Sequence, residues 1–168
     1  MKTTFKIFAL ATLILGLSTS SFAQSTSGAA TASATLLVPI SIAKTTDMNF
    51  GTVAASATAG TVVLDYANVT TVTGGVTKFA GTTSTASFTV TGEGSKAFSI
   101  SYPTTVTLTG SVSGSLIVDN IVCEQGASNT LSSGTKVLNV KGILNVPANS
   151  VAGSYTNTAD LKVTVNYN

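Results

Sequence analysis

Histidine, arginine and tryptophan are absent from this 168-residue chain, and only 8% of its residues are charged. Histidine is the side chain that most often performs general acid–base catalysis near neutral pH. Without it, neither a Ser-His-Asp nor a Cys-His arrangement can form. The chain also lacks a P-loop, a G-x-S-x-G elbow and a complete dinucleotide-binding fingerprint. We therefore predict that the protein is not an enzyme and has no catalytic or cofactor-binding residue.

Six acidic residues are the remaining candidates for reactive or metal-binding groups: Asp47, Asp65, Glu93, Asp119, Glu124 and Asp160. Hydrolysis of a glycosidic bond needs two carboxylates flanking that bond. Only Asp119 and Glu124, which could approach each other around Cys123, are candidates for such a pair. We interpret most of the six as turn or strand-end residues. No D-x-D-x-D spacing typical of a hard-cation site occurs, so we predict no metal ligand.

A single cysteine, Cys123, excludes a disulfide within the chain. Its neighbours Ile121 and Val122 favour a small, buried, apolar residue at this position. The alternative is pairing between two molecules, because a leftover cysteine outside the cytoplasm can form an intermolecular disulfide.

The N-terminus has the pattern of a secretory signal peptide. Lys2 and Lys6 precede a short apolar run over residues 7–17, and small residues follow up to Ala23. The run is shorter than the roughly 20 apolar residues that span a bilayer, although a membrane anchor is the alternative. We predict removal of residues 1–23 and export to the periplasm, the cell surface or the extracellular space.

Removal of this leader changes the charge balance of the chain. The full sequence has eight basic and six acidic residues, and loss of Lys2 and Lys6 leaves equal numbers. The clustered basic face that nucleic-acid binding requires is missing, so we predict no nucleic-acid partner. Residues 24–33 are small and polar, which indicates a flexible lead-in. Residues 34–168 then form a single domain, with no membrane span in the mature chain.

Alternation of apolar and polar residues predicts strands throughout residues 34–168. Pro39 lies inside the first, Ala34–Ile42, which indicates an edge strand or a bulge. A tight turn at Gly92–Ser95 between two alternating segments predicts a β-hairpin. The further predicted strands are Met48–Val53, Gly60–Asp65, Val106–Leu108, a more buried Leu116–Cys123, Val137–Val146 and Tyr155–Tyr167.

About eight to ten short strands separated by turn residues are typical of a β-sandwich or a barrel. We predict an all-β, immunoglobulin-like β-sandwich, with a jelly roll as the alternative. Most aromatic residues share the inward parity of their strands, which indicates core packing. For Tyr66 and Tyr155 this parity does not decide between core packing and a surface position. An alternative function is that of an extracellular glycan- or surface-binding adhesin module. The loops Asn68–Lys78 and Gly110–Ser115 are the candidate binding surfaces for this alternative.

Two segments, Ala32–Val53 and Pro147–Asn168, carry a resemblance to a known group of proteins. The first contains the element D-x-x-F-G at Asp47–Gly51. The second has the ending P-A-x-x-x-x-G-x-Y-x-x-T-x-x-x-x-V-T-V-x-Y. Together they resemble an uncharacterised family of exported bacterial β-domains. That family is similar in turn to spore coat protein U and to the pilin subunits of archaic chaperone–usher pili.

The resemblance implies an immunoglobulin-like sandwich exported to the cell surface. In the pilin relatives, the N-terminal extension of one subunit completes the sheet of the next. Carried over to this chain, the acceptor would be the groove beside Tyr155–Tyr167, and the candidate extension is Gln24–Ser33. The bridge that spore-coat relatives make from the first strand is absent, since Val38–Ile42 contains no cysteine. We predict a pilin-like or coat-like structural protein that acts through sheet-edge association. Its candidate partners are further copies of itself, other surface subunits and a periplasmic chaperone.

Overall fold

The structure is a computed structural model, and it describes residues 24–168. The predicted leader, residues 1–23, lies outside the described residues. Residues 24–35 are exposed and form no regular secondary structure, whereas Leu36–Asn168 form one compact unit. The part of the chain from residue 24 onward contains no helix, and so none long and apolar enough to cross a membrane.

Thirteen strands make up the compact unit. They are β1 (Ser41–Thr46), β2 (Val53–Ala54), β3 (Gly60–Leu64), β4 (Thr70–Gly74), β5 (Thr77–Lys78), β6 (Ala86–Thr91), β7 (Ala97–Ser101), β8 (Val106–Gly110), β9 (Ser115–Cys123), β10 (Ser128–Thr130), β11 (Thr135–Val146), β12 (Tyr155–Thr156) and β13 (Thr164–Tyr167). The prediction of eight to ten strands was too low, because four of the thirteen are only two or three residues long.

The largest sheet is built around β11, the longest strand. Its order is β1-β6-β11-β9-β8-β12, with β3 and β4 added beside the second half of β11. One edge of β11 pairs with β6 over Thr135–Val140 and then with β3 over Ile143–Val146, while its other edge pairs with β9. All of these pairings are antiparallel. Leu138, Val140, Leu144 and Val146 point to the buried face, as their alternation predicted.

Two smaller antiparallel sheets complete a sandwich-like arrangement. One has the order β10-β7-β13, and the other pairs β2 with β5. The all-β sandwich predicted from the alternation is therefore confirmed. Its core is formed by apolar side chains from facing strands, among them Val90 on β6, Phe98 on β7 and Leu138 on β11, all fully buried.

The predicted hairpin around Gly92–Ser95 was wrong. Both edges of β6 are occupied, by β1 and by β11, and both edges of β7 are occupied, by β10 and by β13. The turn instead carries the chain from the large sheet to a small one. Phe88 and Val90 on β6 and Phe98 and Ile100 on β7 are all buried in the same core cluster. The alternation in β6 and β7 predicted their buried faces correctly, but it did not identify the strands with which they pair.

Two further strand predictions need correction. The first strand begins at Ser41 rather than Ala34, and no strand includes residues 34–40. Pro39 lacks the N–H that a ladder needs, so pairing starts only after it. The predicted strand Tyr155–Tyr167 is divided into β12, which pairs with β8 in the large sheet, and β13, which pairs with β7 in a small one.

Candidate functional site

A cleft of about 1080 Å³ with mixed polar and apolar walls lies on the inward face of the large sheet. Its floor is the inward face of the large sheet, formed by Ala86, Phe88, Val106, Leu108, Leu116, Val118, Ile121, Leu144 and Val146. Its other walls are the segment from Asp47 to Ala55 and the segment from Ser150 to Thr158. The volume of this cleft lies just above the range of small-molecule sites, about 300–1,000 Å³.

The D-x-x-F-G element forms one rim of the cleft. Phe50 is buried and its side chain lines the cleft. Gly51 has a positive φ of 81°, a conformation in which glycine avoids the strain that other residues incur. A Cβ there would also lie 2.9 Å from the Thr83 side chain. Asp47 forms an ion pair with Lys44, so the charges at this rim compensate each other.

The opposite rim is formed by the chain between β11 and β13. The Tyr155 hydroxyl donates a hydrogen bond to the carbonyl of Val151 at 2.6 Å. The Asn157 side-chain amide donates to the carbonyl of Thr107 on β8 at 2.8 Å and to Asp160. These bonds hold the rim against the large sheet without filling the cleft. Leu161 is half-buried beside it.

The cleft also borders a strand with an unpaired side. β12 pairs with β8 only at Thr109 and Gly110, so within the described residues no strand covers the same side of β8 from Val106 to Leu108. Val106 and Leu108 line the cleft. Unpaired backbone N–H and C=O groups at a sheet edge are a template for pairing with another strand. The cleft therefore combines an apolar floor with a strand edge whose Thr107 carbonyl accepts a hydrogen bond from the Asn157 side chain rather than from another strand.

At the other end of β1 the chain is held by three hydrogen bonds, which we call the clasp. The Tyr167 hydroxyl accepts from the backbone N–H of Glu93 at 2.6 Å and donates to the carbonyl of Val38 at 2.8 Å. The N–H of Val38 donates to the Glu93 carboxylate at 3.1 Å. Gly92 is needed here, because a Cβ at that position would overlap the Tyr167 hydroxyl.

The sequence prediction missed the exposure of the residues that lead into this clasp and end at Val38. Leu36, Leu37 and Val38 form an apolar arm that belongs to no strand. Leu36 is 89% exposed, more than any other large hydrophobic residue that the structure describes. The alternation through Ala34–Ile42 suggested a buried face, and only the absence of a pairing partner shows that these side chains are uncovered.

The two acidic residues singled out as a candidate carboxylate pair have different hydrogen-bond partners. Asp119 accepts a hydrogen bond from its neighbour Asn120, whereas Glu124 accepts from Gln125 and Asn139. No hydrogen bond joins Asp119 to Glu124 in residues 24–168. Within the same residues, no group of three His, Cys, Asp or Glu side chains could hold a metal ion.

Cys123 is buried, as predicted, and makes no disulfide. Burial raises the pKa of its thiol, and a hydrogen bond from Gln125 opposes this only in part. Desolvation, and to a smaller extent the nearby Cys123 and Glu124, raises the pKa of Tyr66. The Tyr66 hydroxyl donates to the carbonyl of Val122 at 3.2 Å, and Lys141 lies 4.5 Å from the ring centroid. Tyr66 is therefore engaged within the fold.

Residues 40–167 match the model of a family described as a domain of unknown function, DUF4402. The chain belongs to this family. The DUF4402 match extends from just before β1 to the end of β13 and leaves the apolar arm outside it. No curated protein and no solved structure matches the chain. The similarity to spore coat protein U and to pilin subunits stays a prediction.

The loops singled out as glycan-binding candidates are also placed by the structure. Most of Asn68–Lys78 belongs to β4 and β5, so its description as a loop was wrong. Asn68 itself has a positive φ of 62°. Its side-chain oxygen accepts hydrogen bonds from the N–H and the hydroxyl of Thr85. Gly110–Ser115 contains the turn between β8 and β9. Neither segment brings aromatic side chains together.

Proposed function

We propose that this protein is an exported, non-enzymatic structural subunit of the bacterial surface, which associates with further subunits through a sheet edge. The cleft is the observation that carries the proposal. Its apolar floor lies beside a side of β8 that no strand of the described residues covers from Val106 to Leu108. An extended segment that displaces the Asn157 side chain from the Thr107 carbonyl can therefore add backbone hydrogen bonds and bury side chains at the same place. A surface with almost no net charge favours such association over repulsion between molecules.

The predicted leader supports the cellular location. Export would place the domain in the periplasm, at the cell surface or outside the cell, where a coat-like or pilin-like subunit acts. Production of the complete precursor in a bacterial host, followed by fractionation and mass spectrometry, tests this part. We expect a mature chain that begins at Gln24. A full-length protein retained in the cytoplasm would refute the proposed export.

Sedimentation of the exported protein over a wide concentration range tests association. We expect oligomers that persist on dilution. A cleft variant, Leu108→Glu, should sediment as a monomer, because a carboxylate on the cleft floor opposes apolar docking. Val137 lies on the exposed face of β11, so Val137→Thr is a matched control that should assemble normally. A wild-type protein that is monomeric at every concentration would refute the proposal.

A further inference from the structure

The pairing of β12 with β8 ends before it reaches the part of β8 that borders the cleft. The last pair of this ladder is Thr156 with Thr109, and in the same register Thr158 would come to lie opposite Thr107. The Thr107 carbonyl instead accepts a hydrogen bond from the Asn157 side-chain amide at 2.8 Å. A side chain therefore occupies the position that a longer β12, or another strand, would take with its backbone N–H.

The orientation of the Asn157 amide is fixed by four hydrogen bonds, which we call the latch. Its oxygen accepts from the backbone N–H groups of Ala159 at 3.0 Å and Asp160 at 2.7 Å. Its nitrogen donates to the Thr107 carbonyl and to the Asp160 carboxylate at 2.6 Å. These bonds use both donors and both acceptor sites of the amide. A flipped amide would direct its oxygen at a carbonyl and a carboxylate, neither of which can donate.

The latch holds a segment that contributes little to the core. In residues 151–161, which we call the strap, the side chains of Tyr155, Asn157 and Leu161 are half-buried and all others are exposed. Segments with few buried apolar contacts open at a lower free-energy cost than the core and without global unfolding. The strap also forms one wall of the cleft. Its departure from β8 would therefore uncover both the strand edge and the cleft floor while the sandwich stays folded.

From these contacts we propose that the latch regulates association. The strap closes the edge of β8 in the single molecule, and release of Asn157 from Thr107 opens that edge and the cleft to a partner strand. The inference rests on the proposed function and adds the step that controls it. An uncovered sheet edge is a template for pairing with another chain, and natural proteins protect such edges. A single hydrogen bond joins Asn157 to β8, so this cover is removed more easily than a paired strand.

Two variants remove the latch in different ways. Asn157→Ser removes the amide that donates to the Thr107 carbonyl, and the serine hydroxyl still accepts within the turn. Asn157→Asp keeps the oxygen that accepts from Ala159 and Asp160, but replaces the donor by an oxygen that repels the Thr107 carbonyl. Asn166 is exposed on β13, so Asn166→Ser and Asn166→Asp are matched controls outside the strap.

Hydrogen exchange tests the latch in single molecules, with Leu108→Glu in every chain to keep it monomeric. The amide of Ser111 reports on the strap, because it donates to the Ser154 carbonyl at 2.8 Å. Loss of the latch should make this amide exchange about five-fold faster, which corresponds to one net hydrogen bond. The amide of Gly110 donates within the turn between β8 and β9, so its exchange rate should not change. An unchanged Ser111 rate in both Asn157 variants would overturn the inference and leave the proposed function standing.

Association kinetics then test the regulation in chains that keep Leu108. Assemblies are dissociated in urea, refolding is verified by circular dichroism, and light scattering follows association from equal concentrations. Asn157→Ser should associate about five-fold faster than wild type, whereas Asn166→Ser should match wild type. The uncharged variant is used because a carboxylate at the rim would itself oppose apolar docking.

Two results of the kinetic experiment would contradict the proposals in different ways. Equal association rates for wild type and Asn157→Ser, together with faster exchange of the Ser111 amide, would overturn regulation by the latch while the proposed function survives. Wild-type and variant chains that all stay monomeric would refute the proposed function, and the regulation with it.

Discussion

Replacing Gly92 by alanine is a direct test of the clasp that positions the arm. The new Cβ would overlap the Tyr167 hydroxyl and lie 3.0 Å from a methyl group of Leu131, so the tyrosine must move. This movement of the tyrosine ring breaks two hydrogen bonds of its hydroxyl, the one from the Glu93 N–H and the one to the carbonyl of Val38. Gly94, two residues further on, supplies the matched control, since the nearest atom to its added Cβ would be 3.5 Å away.

The expected cost follows from these contacts. Two lost hydrogen bonds contribute about 2 kcal/mol, and somewhat less if water reaches the exposed Val38 carbonyl. Displacing a packed ring adds about 1 kcal/mol of strain. Gly92→Ala should therefore lower the free energy of unfolding by about 3 kcal/mol and the melting temperature by roughly 8 °C. Gly94→Ala should change the free energy by less than about 0.5 kcal/mol, or raise it slightly by restricting the unfolded chain.

Urea unfolding of a double-mutant cycle with Tyr167→Phe separates the two contributions. Phenylalanine removes the hydroxyl that the new Cβ would strike and leaves the ring carbon at 3.2 Å. In that background, Gly92→Ala should cost only about 1 kcal/mol, which gives a coupling of about 2 kcal/mol. Hydrogen exchange of the Glu93 amide should accelerate in each single variant. Additive costs, or an equal effect of Gly92→Ala and Gly94→Ala, would refute the clasp.

Three other predictions concern the folded unit. Leu138 is fully buried, so Leu138→Ala should lower the free energy of unfolding in urea by about 3 kcal/mol. Val137→Ala, at the exposed neighbouring position, should lower it by less than about 1 kcal/mol, and equal losses would contradict the assigned faces of β11. Asn68→Ala should cost about 2 kcal/mol, because two hydrogen bonds from Thr85 are lost at a position with positive φ. Asn68→Asp keeps an oxygen that can accept both bonds and should cost less, and a similar cost for the two variants would argue against those bonds. The raised pKa of Cys123 means that the unfolded thiol ionises first, so stability is fully present below about pH 8.5 and is lost as the pH rises above it. Unfolding free energies measured between neutral and alkaline pH should therefore fall more steeply for wild type than for Cys123→Ala, and parallel curves would contradict this assignment.

The buried side of each strand was predictable because alternation records which side chains meet water. Leu138, Val140, Leu144 and Val146 were assigned correctly for this reason, as was the burial of Cys123. The arm shows the limit of the same argument. Leu36 and Val38 continue the alternation of the first strand, yet the side chains are exposed because no neighbouring strand covers them.

The sequence by itself determined the all-β class, the buried faces of β6, β7 and β11, and the exclusion of histidine-dependent catalysis. These follow from side-chain chemistry and from a period of two residues, which are properties of local sequence. Only the tertiary structure decided which strands pair, that β6 and β7 belong to different sheets, and that a cleft remains open beside β8. Sheet pairing is made by backbone N–H and C=O groups that are alike in nearly every residue, so the alternation of a strand does not identify its partner.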